Sequence, residues 1–348
     1  MFNFTLSYFI PGLLLGVFII ATFVTGAARY YALRRGLYDV PNARSAHRLP
    51  TPRGGGLGIA AAFFISLIFL ERTGALSAHV AYALLGGGAL VALIGWRDDH
   101  GHVAARWRIL VHTVAAGWAL FWLGGLDTFP GLNVELGMLG AVLGVAGIVW
   151  LTNLYNFMDG IDGLAGAQAL CAGLGGAALL WWGGAPELAL VGFSLAAASA
   201  GFLIWNWPPA KIFMGDVGSG LLGFSFAVLA LAGEKSGALP LLGWIVLLAV
   251  FVLDASFTLL RRMVHGEPWL HAHNTHAYQR LVQLGYSHLR VTRWVLALNI
   301  MILWPLMGWL WYRPDAALWV VLVTCVAGWL LWAWIQRKFA HATGMQAR

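Results

Sequence analysis

Charge is scarce in this chain: Asp, Glu, Lys and Arg make up only 10% of its 348 residues, while 60% are hydrophobic. A soluble globule of this size needs far more polar surface, so the composition excludes that class and predicts a polytopic membrane protein. Cysteine is also rare, and Cys171 and Cys325 both fall in apolar stretches. The sequence therefore supports neither a disulfide framework nor a thiolate site.

The chain also lacks a linker, a low-complexity tract and an internal repeat. No segment between apolar stretches exceeds roughly 35 residues, so we expect a single membrane-embedded domain, residues 1–348. Apolar stretches of about 17 to 25 residues can each cross a bilayer as a helix. They predict an all-α fold with eleven transmembrane helices, at 6–27, 55–71, 79–96, 109–125, 136–153, 164–183, 187–206, 217–233, 238–260, 294–312 and 316–335.

Basic residues are distributed unevenly between the loops that join these spans. Eighteen of the 21 Lys and Arg residues fall in one set of loops, and the other set holds Arg72, Lys235 and Arg313. Because basic residues near span ends stay cytoplasmic, we predict a periplasmic N-terminus and a cytoplasmic C-terminus. The net charge of +7 sits in short loops beside the membrane, which favours the lipid bilayer and phosphate ligands as partners and disfavours nucleic acid.

Two acidic motifs lie on the predicted cytoplasmic side. Asp98 and Asp99 close the third span, and Asp216 stands between glycines just before the eighth. Mg²⁺ prefers carboxylates, water and substrate phosphates as ligands, and Arg106 and Arg108 offer forked donors for phosphate oxygens. A plain helix cap or turn is the competing explanation, and for either acidic motif alone it is the better one.

The most informative segment follows the fifth span, where Asn153, Asn156, Asp159 and Asp162 recur every three residues. Ionisable groups at the mouth of a membrane span are expensive to keep there and indicate a functional site. On an α-helix this spacing would carry the first and last members to opposite sides. Two glycines in the segment favour a break, so we expect the span to end near Phe157 and both aspartates to line a turn. A capping cluster for the next span is the alternative.

The first cytoplasmic loop, residues 41–56, combines stiffening prolines, a glycine run and basic side chains. Arg44, His47 and Arg53 are suited to contact a phosphate. A positive-inside topology signal is the alternative for basic residues of this loop, but it does not explain the glycines.

The loop after the ninth span holds His271, His273 and His276. Imidazoles bind zinc, contact phosphates, or lie at a membrane interface without a ligand. No thiolate or second histidine pair accompanies them, so a closed tetrahedral zinc site is the weakest of these three interpretations.

Taken in order, these five motifs resemble the polyprenyl-phosphate N-acetylhexosamine-1-phosphate transferases. That family includes the initiating enzymes of O-antigen synthesis and the phospho-MurNAc-pentapeptide translocase. The resemblance covers most of the chain, from the Pro-Thr-Pro-Arg-Gly-Gly loop to the histidine loop. It implies a bacterial inner-membrane enzyme that moves a sugar 1-phosphate from a UDP-N-acetylhexosamine to undecaprenyl phosphate, releases UMP, and requires Mg²⁺, for which Mn²⁺ can substitute.

The resemblance also implies roles for residues that match the family motifs. The implied metal ligands are Asp216, Asp98 and Asp99. The implied catalytic residues are Asp98, Asp99, Asp159, Asp162 and His276. The implied substrate-binding residues are Asn153, Asn156, Phe213, Lys211, Arg106, Arg108, Arg44, His47, Arg53, His271, His273 and Arg280, with Phe213 placed to stack on uracil. Relatives often carry a denser histidine run where this chain has Tyr278 and Gln279, which favours the O-antigen branch over the translocase and leaves the sugar open.

The residues suggest a mechanism without the family. An attacking phosphate monoester is largely dianionic at neutral pH, so a strong base is not essential. The difficulty is to bring two anions together, which a magnesium ion and arginines address. We therefore expect Asp98 and Asp99 to position metal or phosphate first and to act as a general base only second.

A membrane transporter for an organic anion or a lipid-linked sugar is the rival hypothesis. Transporters place polar groups near the middle of the membrane and often show matching halves. Here the polar groups gather at one face and no repeat is visible, but Asp254 lies deep in the ninth span and favours the rival. The sequence leaves open whether the chain forms a homodimer.

Overall fold

The computed structural model describes residues 2–41, 46, 49–128, 134–267 and 273–344. One short antiparallel pair, β1 (Tyr38–Asp39) and β2 (Thr51–Pro52), ties the first loop to the end of the first helix. The helices are α1 (Phe2–Arg35), α2 (Gly56–Arg72), α3 (Ala78–His100), α4 (Ala105–Leu123), α5 (Met138–Phe157), α6 (Leu164–Trp182), α7 (Pro186–Asn206), α8 (Asp216–Ser236), α9 (Leu241–Leu247), α10 (Ala249–Val264), α11 (Ala277–Gln283), α12 (His288–Leu298), α13 (Trp304–Tyr312) and α14 (Ala317–Thr343).

The all-α membrane fold predicted from composition is confirmed. In the described part of the chain, eight helical segments are long and apolar enough to cross a bilayer, and the bent pair α9–α10 makes a ninth. The two other predicted spans coincide with α2, which has 17 residues, and α4, which has 19. The side of the membrane that each loop faces stays a prediction from the basic residues.

The ninth predicted span, 238–260, is not one straight helix. The chain bends by 84° between α9 and α10, which frees backbone groups that must find other partners in an apolar environment. Gln168 of α6 donates through Nε2 to the carbonyl of Leu247 at 3.0 Å and accepts from Asn299 Nδ2 at 2.9 Å. Asn299 itself begins a π-helical turn that joins α12 to α13. The buried amide pair of Gln168 and Asn299 therefore supports both the bend between α9 and α10 and the π-helical turn between α12 and α13.

Helix α8 forms the centre of the fold, with α3 and α5 packed against it. Lipid tails are as apolar as leucine, so membrane helices associate through close packing of small residues. A Cβ atom at Gly95 would lie 2.6 Å from the backbone oxygen of Asp216, and one at Gly56 would meet the backbone of Gly218. Glycines therefore let the last turn of α3 and the start of α2 approach the first turn of α8, where the polar residues gather.

Candidate active site

A polar cavity of about 350 Å³ opens where α3, α5 and α8 meet the connecting loops. It joins residues that are far apart in sequence, because helix ends and connecting loops from along the chain converge on it. Its lining residues are Asp39, Ala46, Arg53, Asp99, Asn156, Asp159, Gly160, Ile161, Asp162, Asn206, Phe213, Gly215, Asp216, His273, Gln279 and His288.

The adjacent carboxylates Asp98 and Asp99 point to different partners. Asp99 is 5% exposed, and its two oxygens accept the backbone N–H groups of Asp216 at 3.1 Å and Val217 at 3.4 Å. It thus caps α8 from a neighbouring helix, which satisfies donors that a helix N-terminus leaves free. Asp98 instead accepts the N–H of Val103 at 2.7 Å. Within the described part of the chain, Asp99 lines the cavity and Asp98 does not.

Asp216 is the first residue of α8, one residue before the predicted start of the eighth span, and both of its carboxylate oxygens have partners. Arg108 Nη1 lies 2.9 Å from its Oδ2 and 3.5 Å from Asp98 Oδ2. Asn156 Nδ2 donates to the other oxygen of Asp216 at 2.8 Å and contacts Ser219 Oγ at 2.9 Å. Charge-assisted hydrogen bonds of this kind fix a side chain in one orientation. Arg108 therefore sits behind the cavity, and Asp216 faces it.

The segment after α5 has the predicted geometry: the helix ends at Phe157 and both aspartates lie in the following turn. Asp159 faces the cavity, where burial and then the charges of Asp216 and Asp99 raise its pKa well above the usual value of 3.8. Asp162 also lines the cavity, but its carboxylate accepts the N–H of Ala210 at 3.1 Å and lies 3.2 Å from His288 Nδ1. It therefore ties this turn to two other segments.

Two glycine-containing loops pair through their backbones at the rim of the cavity. The N–H of Phe213 donates to the carbonyl of Pro52 at 2.8 Å, and the N–H of Gly55 donates to the carbonyl of Phe213 at 2.9 Å. This pairing places the side chains of Arg53 and Phe213 on the cavity. The Nε atom of Arg53 is buried and has no hydrogen-bond partner among the described residues. A buried donor left without a partner is costly, which suits a site completed by an anionic ligand.

The histidine loop supplies the side of the cavity formed by His273 and Gln279, here called the histidine wall. The carboxylates Asp99, Asp159 and Asp216, which also line the cavity, are called the acidic wall. The ring of His273 stacks on the buried His276 at 4.8 Å between centroids. Burial, and next the neighbouring His276, lower the pKa of His273 to about 3, so its imidazole is neutral at physiological pH.

Comparisons with known proteins support the family that the motifs suggest. The model of glycosyl transferase family 4 matches residues 81–234, which include every member of the acidic wall. A probable undecaprenyl-phosphate N-acetylglucosaminyl 1-phosphate transferase of Bacillus subtilis is 31% identical over 276 residues, covering 76% of this chain and 75% of that protein. The chain belongs to glycosyl transferase family 4.

Two other members of the family show the same degree of likeness. A decaprenyl-phosphate N-acetylglucosaminephosphotransferase of Mycolicibacterium smegmatis is 31% identical over 306 residues, which is 78% of this chain and 75% of that protein. An undecaprenyl-phosphate alpha-N-acetylglucosaminyl 1-phosphate transferase of Salmonella typhi is 27% identical over 291 residues, or 79% and 77% of the two chains. The likeness therefore extends well beyond the central motifs.

The carboxylates of the acidic wall are the residues of the cavity that could hold the magnesium ion that the family implies. Among the described residues, no three His, Cys, Asp or Glu side chains form a ready-made metal-ligand group, which also leaves the zinc interpretation of the histidine loop without support there. Mg²⁺ is usually held by one or two carboxylates, waters and substrate phosphates. Burial, and then the charges of Asp216 and Asp99, raise the pKa of Asp159, and a bound cation would relieve the repulsion between these carboxylates. The acidic wall therefore fits Mg²⁺ bound together with substrate.

Several residues matched to family motifs lie away from the cavity in the described part of the chain. Asn153 donates to the carbonyl of Val149 at 2.7 Å, one turn back along α5. Exposed Arg106 lies over Trp107, and Arg280 lies over Phe339. The full set outside the lining is Asn153, Arg106, Lys211, Arg280, Asp98, Arg108 and His276, of which the last three pack directly behind lining residues. Arg44, His47 and His271 fall outside the described residues.

Other lining residues were not singled out from the sequence. Asn206 reaches the cavity from the end of α7, and His288 reaches it from the start of α12; neither helix carries a family motif. Each side chain accepts a hydrogen bond from a backbone N–H of the turn after α5. Asp39 lies in β1, before the first-loop motif of residues 41–56. Gln279 was noted only as a departure from the histidine run of relatives. No local pattern marks His288, because its place depends on the packing of α12.

Proposed function

We propose that the chain transfers an N-acetylhexosamine 1-phosphate from a UDP-sugar to undecaprenyl phosphate and releases UMP. The observation that carries the proposal is the single cavity that brings together the acidic wall and the unpartnered Nε of Arg53. The names of the family members above describe transfer to undecaprenyl or decaprenyl phosphate. Because those names specify N-acetylglucosamine, UDP-N-acetylglucosamine is the first donor to test.

In the proposed reaction, an oxygen of the acceptor phosphate attacks the sugar-linked phosphorus of the donor diphosphate. The bond from that phosphorus to the bridging oxygen breaks, and the bridging oxygen leaves with UMP. Because the acceptor is largely dianionic at neutral pH, no carboxylate needs to remove a proton from it. The principal task of the protein is to hold two anions in line.

The cavity residues divide this task between them. One or two of the carboxylates Asp216, Asp159 and Asp99 would hold Mg²⁺ together with water and substrate phosphates, and the ion would supply charge neutralisation for the phosphates when bound. Arg108 and Asn156 keep Asp216 in one orientation through its two oxygens. Arg53 presents an unpartnered donor to a phosphate oxygen, and Phe213 offers a ring on which uracil can stack. Mn²⁺ shares the preference for oxygen ligands and is the expected substitute.

The proposal places the enzyme in a bacterial inner membrane, at the first membrane step of O-antigen or related glycan synthesis. The chain is a multi-pass membrane protein, and the acceptor is a membrane lipid whose tail stays in the bilayer while its phosphate reaches the cavity. Tyr278 and Gln279 in place of a denser histidine run are what favour this branch.

The test is release of UMP by the purified full-length protein. It should form UMP only when undecaprenyl phosphate, a divalent cation and one member of a panel of UDP-N-acetylhexosamines are all present. Omission of the lipid separates transfer from simple hydrolysis of the donor. A folded sample that releases no UMP with any sugar would contradict the proposal, and uptake of a labelled donor into liposomes would then support the transporter.

A further inference from the structure

Asp254 lies deep inside the ninth predicted span, and the proposed reaction does not use it. It belongs to α10 and is 8% exposed. An ionisable side chain within a membrane segment is costly and indicates a function. Its oxygens are nevertheless satisfied: Oδ1 accepts the N–H of Ala277 at 2.8 Å and the hydroxyl of Thr258 at 3.1 Å, and Oδ2 accepts the N–H of Tyr278 at 3.1 Å.

These bonds attach α10 to the start of α11, more than twenty residues further along the chain. The same carboxylate faces His276, whose Nδ1 lies 3.7 Å from Oδ1. Tyr278 then bonds to the end of α5 through its hydroxyl, which donates to the carbonyl of Phe157 at 3.0 Å. Asp254 is thus the anchor of a chain of contacts that ends beside the turn carrying Asp159.

The histidine wall depends on this anchor. His273 stacks on His276, and the N–H of His276 donates to Oε1 of Gln279 at 3.2 Å. The amide oxygen of Gln279 is therefore committed to the backbone, while the residue itself lines the cavity. Each member of the wall is held by a residue that Asp254 contacts directly.

We propose that Asp254 is a positioning residue that holds His273 and Gln279 on the cavity for the UDP-sugar. This inference rests on the proposed function. It explains the presence of Asp254 in a membrane segment without the transporter hypothesis, because both carboxylate oxygens accept hydrogen bonds from backbone N–H groups. A Cβ atom at Gly160 would lie 3.3 Å from Nε2 of Gln279, so the wall lies against the turn that carries Asp159. The substrate expected to lose binding when the anchor is weakened is the UDP-sugar rather than the lipid acceptor.

The first test is Asp254→Asn in the full-length protein. Asn has the same shape but replaces one acceptor oxygen with an amide group, so one of the two N–H groups of α11 loses its partner. Loss of a buried hydrogen bond of this kind is expected to raise KM for UDP-N-acetylglucosamine by about tenfold. KM for undecaprenyl phosphate should stay unchanged. Asp127→Asn is the matched control, since Asp127 pairs with Lys235 at the opposite end of the protein.

A second measurement reports on the anchor without catalysis. Amide hydrogen exchange in residues 276–283 should become faster in Asp254→Asn, while exchange in α8 stays as in the parent. Tyr278→Phe removes the hydroxyl that reaches Phe157 and should raise the donor KM in the same direction by a smaller factor. Destabilisation alone would lower the active fraction, and hence kcat, with both KM values unchanged.

The outcomes separate the two proposals. Unchanged donor KM together with unchanged exchange in residues 276–283 overturns the positioning role of Asp254. A parent protein that forms no UMP with any sugar contradicts the proposed function instead, and the exchange measurement still decides whether Asp254 holds the histidine segment.

Discussion

The acidic wall and the histidine wall of the cavity are built differently. The carboxylates Asp99 and Asp216 stand at helix ends, and the backbone N–H of Asp216 binds Asp99 directly. His273 stands on a short connecting segment and reaches its place through stacking on His276. One wall is fixed by the packing of the central helices, and the other is fixed by an anchor in α10.

Their charges differ as well. Burial, and then repulsion from Asp216 and Asp99, raises the pKa of Asp159, so the acidic wall is suited to bind a cation. The histidine wall is neutral, because burial keeps the imidazole of His273 unprotonated. We infer that the acidic wall supplies the electrostatic part of the reaction and that the histidine wall supplies shape and hydrogen bonds. Substitutions on the two sides should therefore differ in size and kind.

The largest loss is expected for Asp216→Asn. The change removes a negative charge from the acidic wall and leaves Arg108 with Asp98 as its remaining carboxylate partner. Loss of one preorganised electrostatic group typically lowers kcat by about 100- to 1,000-fold. The rate of UMP formation at saturating substrates measures it. The control is Asp315→Asn, which changes an exposed ion pair with Arg313. If the rate of Asp216→Asn stayed within about threefold of the parent rate, Asp216 would not contribute to the reaction as proposed.

Arg53→Gln comes next. Arg53 carries the buried Nε without a partner on the cavity, and a hydrogen bond from a charged donor to phosphate is worth about 10- to 100-fold in kcat/KM. Lys at this position should not restore the rate, because an ammonium group lacks the forked geometry of guanidinium. Arg72→Gln, at an exposed arginine paired with Glu71, controls for the loss of one positive charge. If Arg53→Lys had the same kcat/KM as the parent, positive charge alone would be sufficient at this position.

A third prediction concerns pH and the cation. Because the pKa of Asp159 is raised, lowering the pH places a proton on the acidic wall that competes with Mg²⁺. The Mg²⁺ concentration for half-maximal rate should therefore rise as the pH falls, by up to about tenfold per pH unit. Ionising a carboxylate with a raised pKa costs stability as the pH rises, so added Mg²⁺ should increase Tm more at high pH than at low pH. In Asp159→Asn both dependences should flatten.

Much of the acidic wall could be predicted from sequence, because local signals place it. Glycines beside Asp216 and after Asp159 indicate where helices end, and α5 does end at Phe157 while α8 begins at Asp216. These local signals do not predict the direction in which a side chain points. Successive residues of a helix differ by about 100°, so Asp99 lines the cavity and Asp98 does not.

The histidine wall could be predicted less well, because long-range packing decides it. Asp254 was visible only as a carboxylate in an apolar run, and that pattern favours a transporter as readily as an anchor. At the bend of 84° between α9 and α10, the carbonyl of Leu247 accepts a hydrogen bond from Gln168 of another helix. His288 lines the cavity because α12 packs beside α6. None of these positions has a local sequence signature.

The smallest change is expected for His273→Asn, and its kind separates the walls most clearly. Asn keeps hydrogen-bonding groups and loses the ring that stacks on His276, so a loss of about threefold in kcat/KM is expected. Because the pKa of His273 is lowered to about 3, its imidazole does not titrate near neutral pH. The pH–rate profiles of parent and variant should therefore have the same shape.

The dependence of Tm on pH tests the protonation state of His273 independently of the rate. A histidine with a lowered pKa contributes stability that is present above its ordinary pKa of 6.5 and is lost as the pH falls toward about 3. The parent should therefore lose more Tm than His273→Asn when the pH is lowered from neutral to acidic. If the variant instead lost the limb of the pH–rate profile near neutral pH, His273 would be a titrating group of the reaction, and the division into a charged wall and a neutral wall would fail.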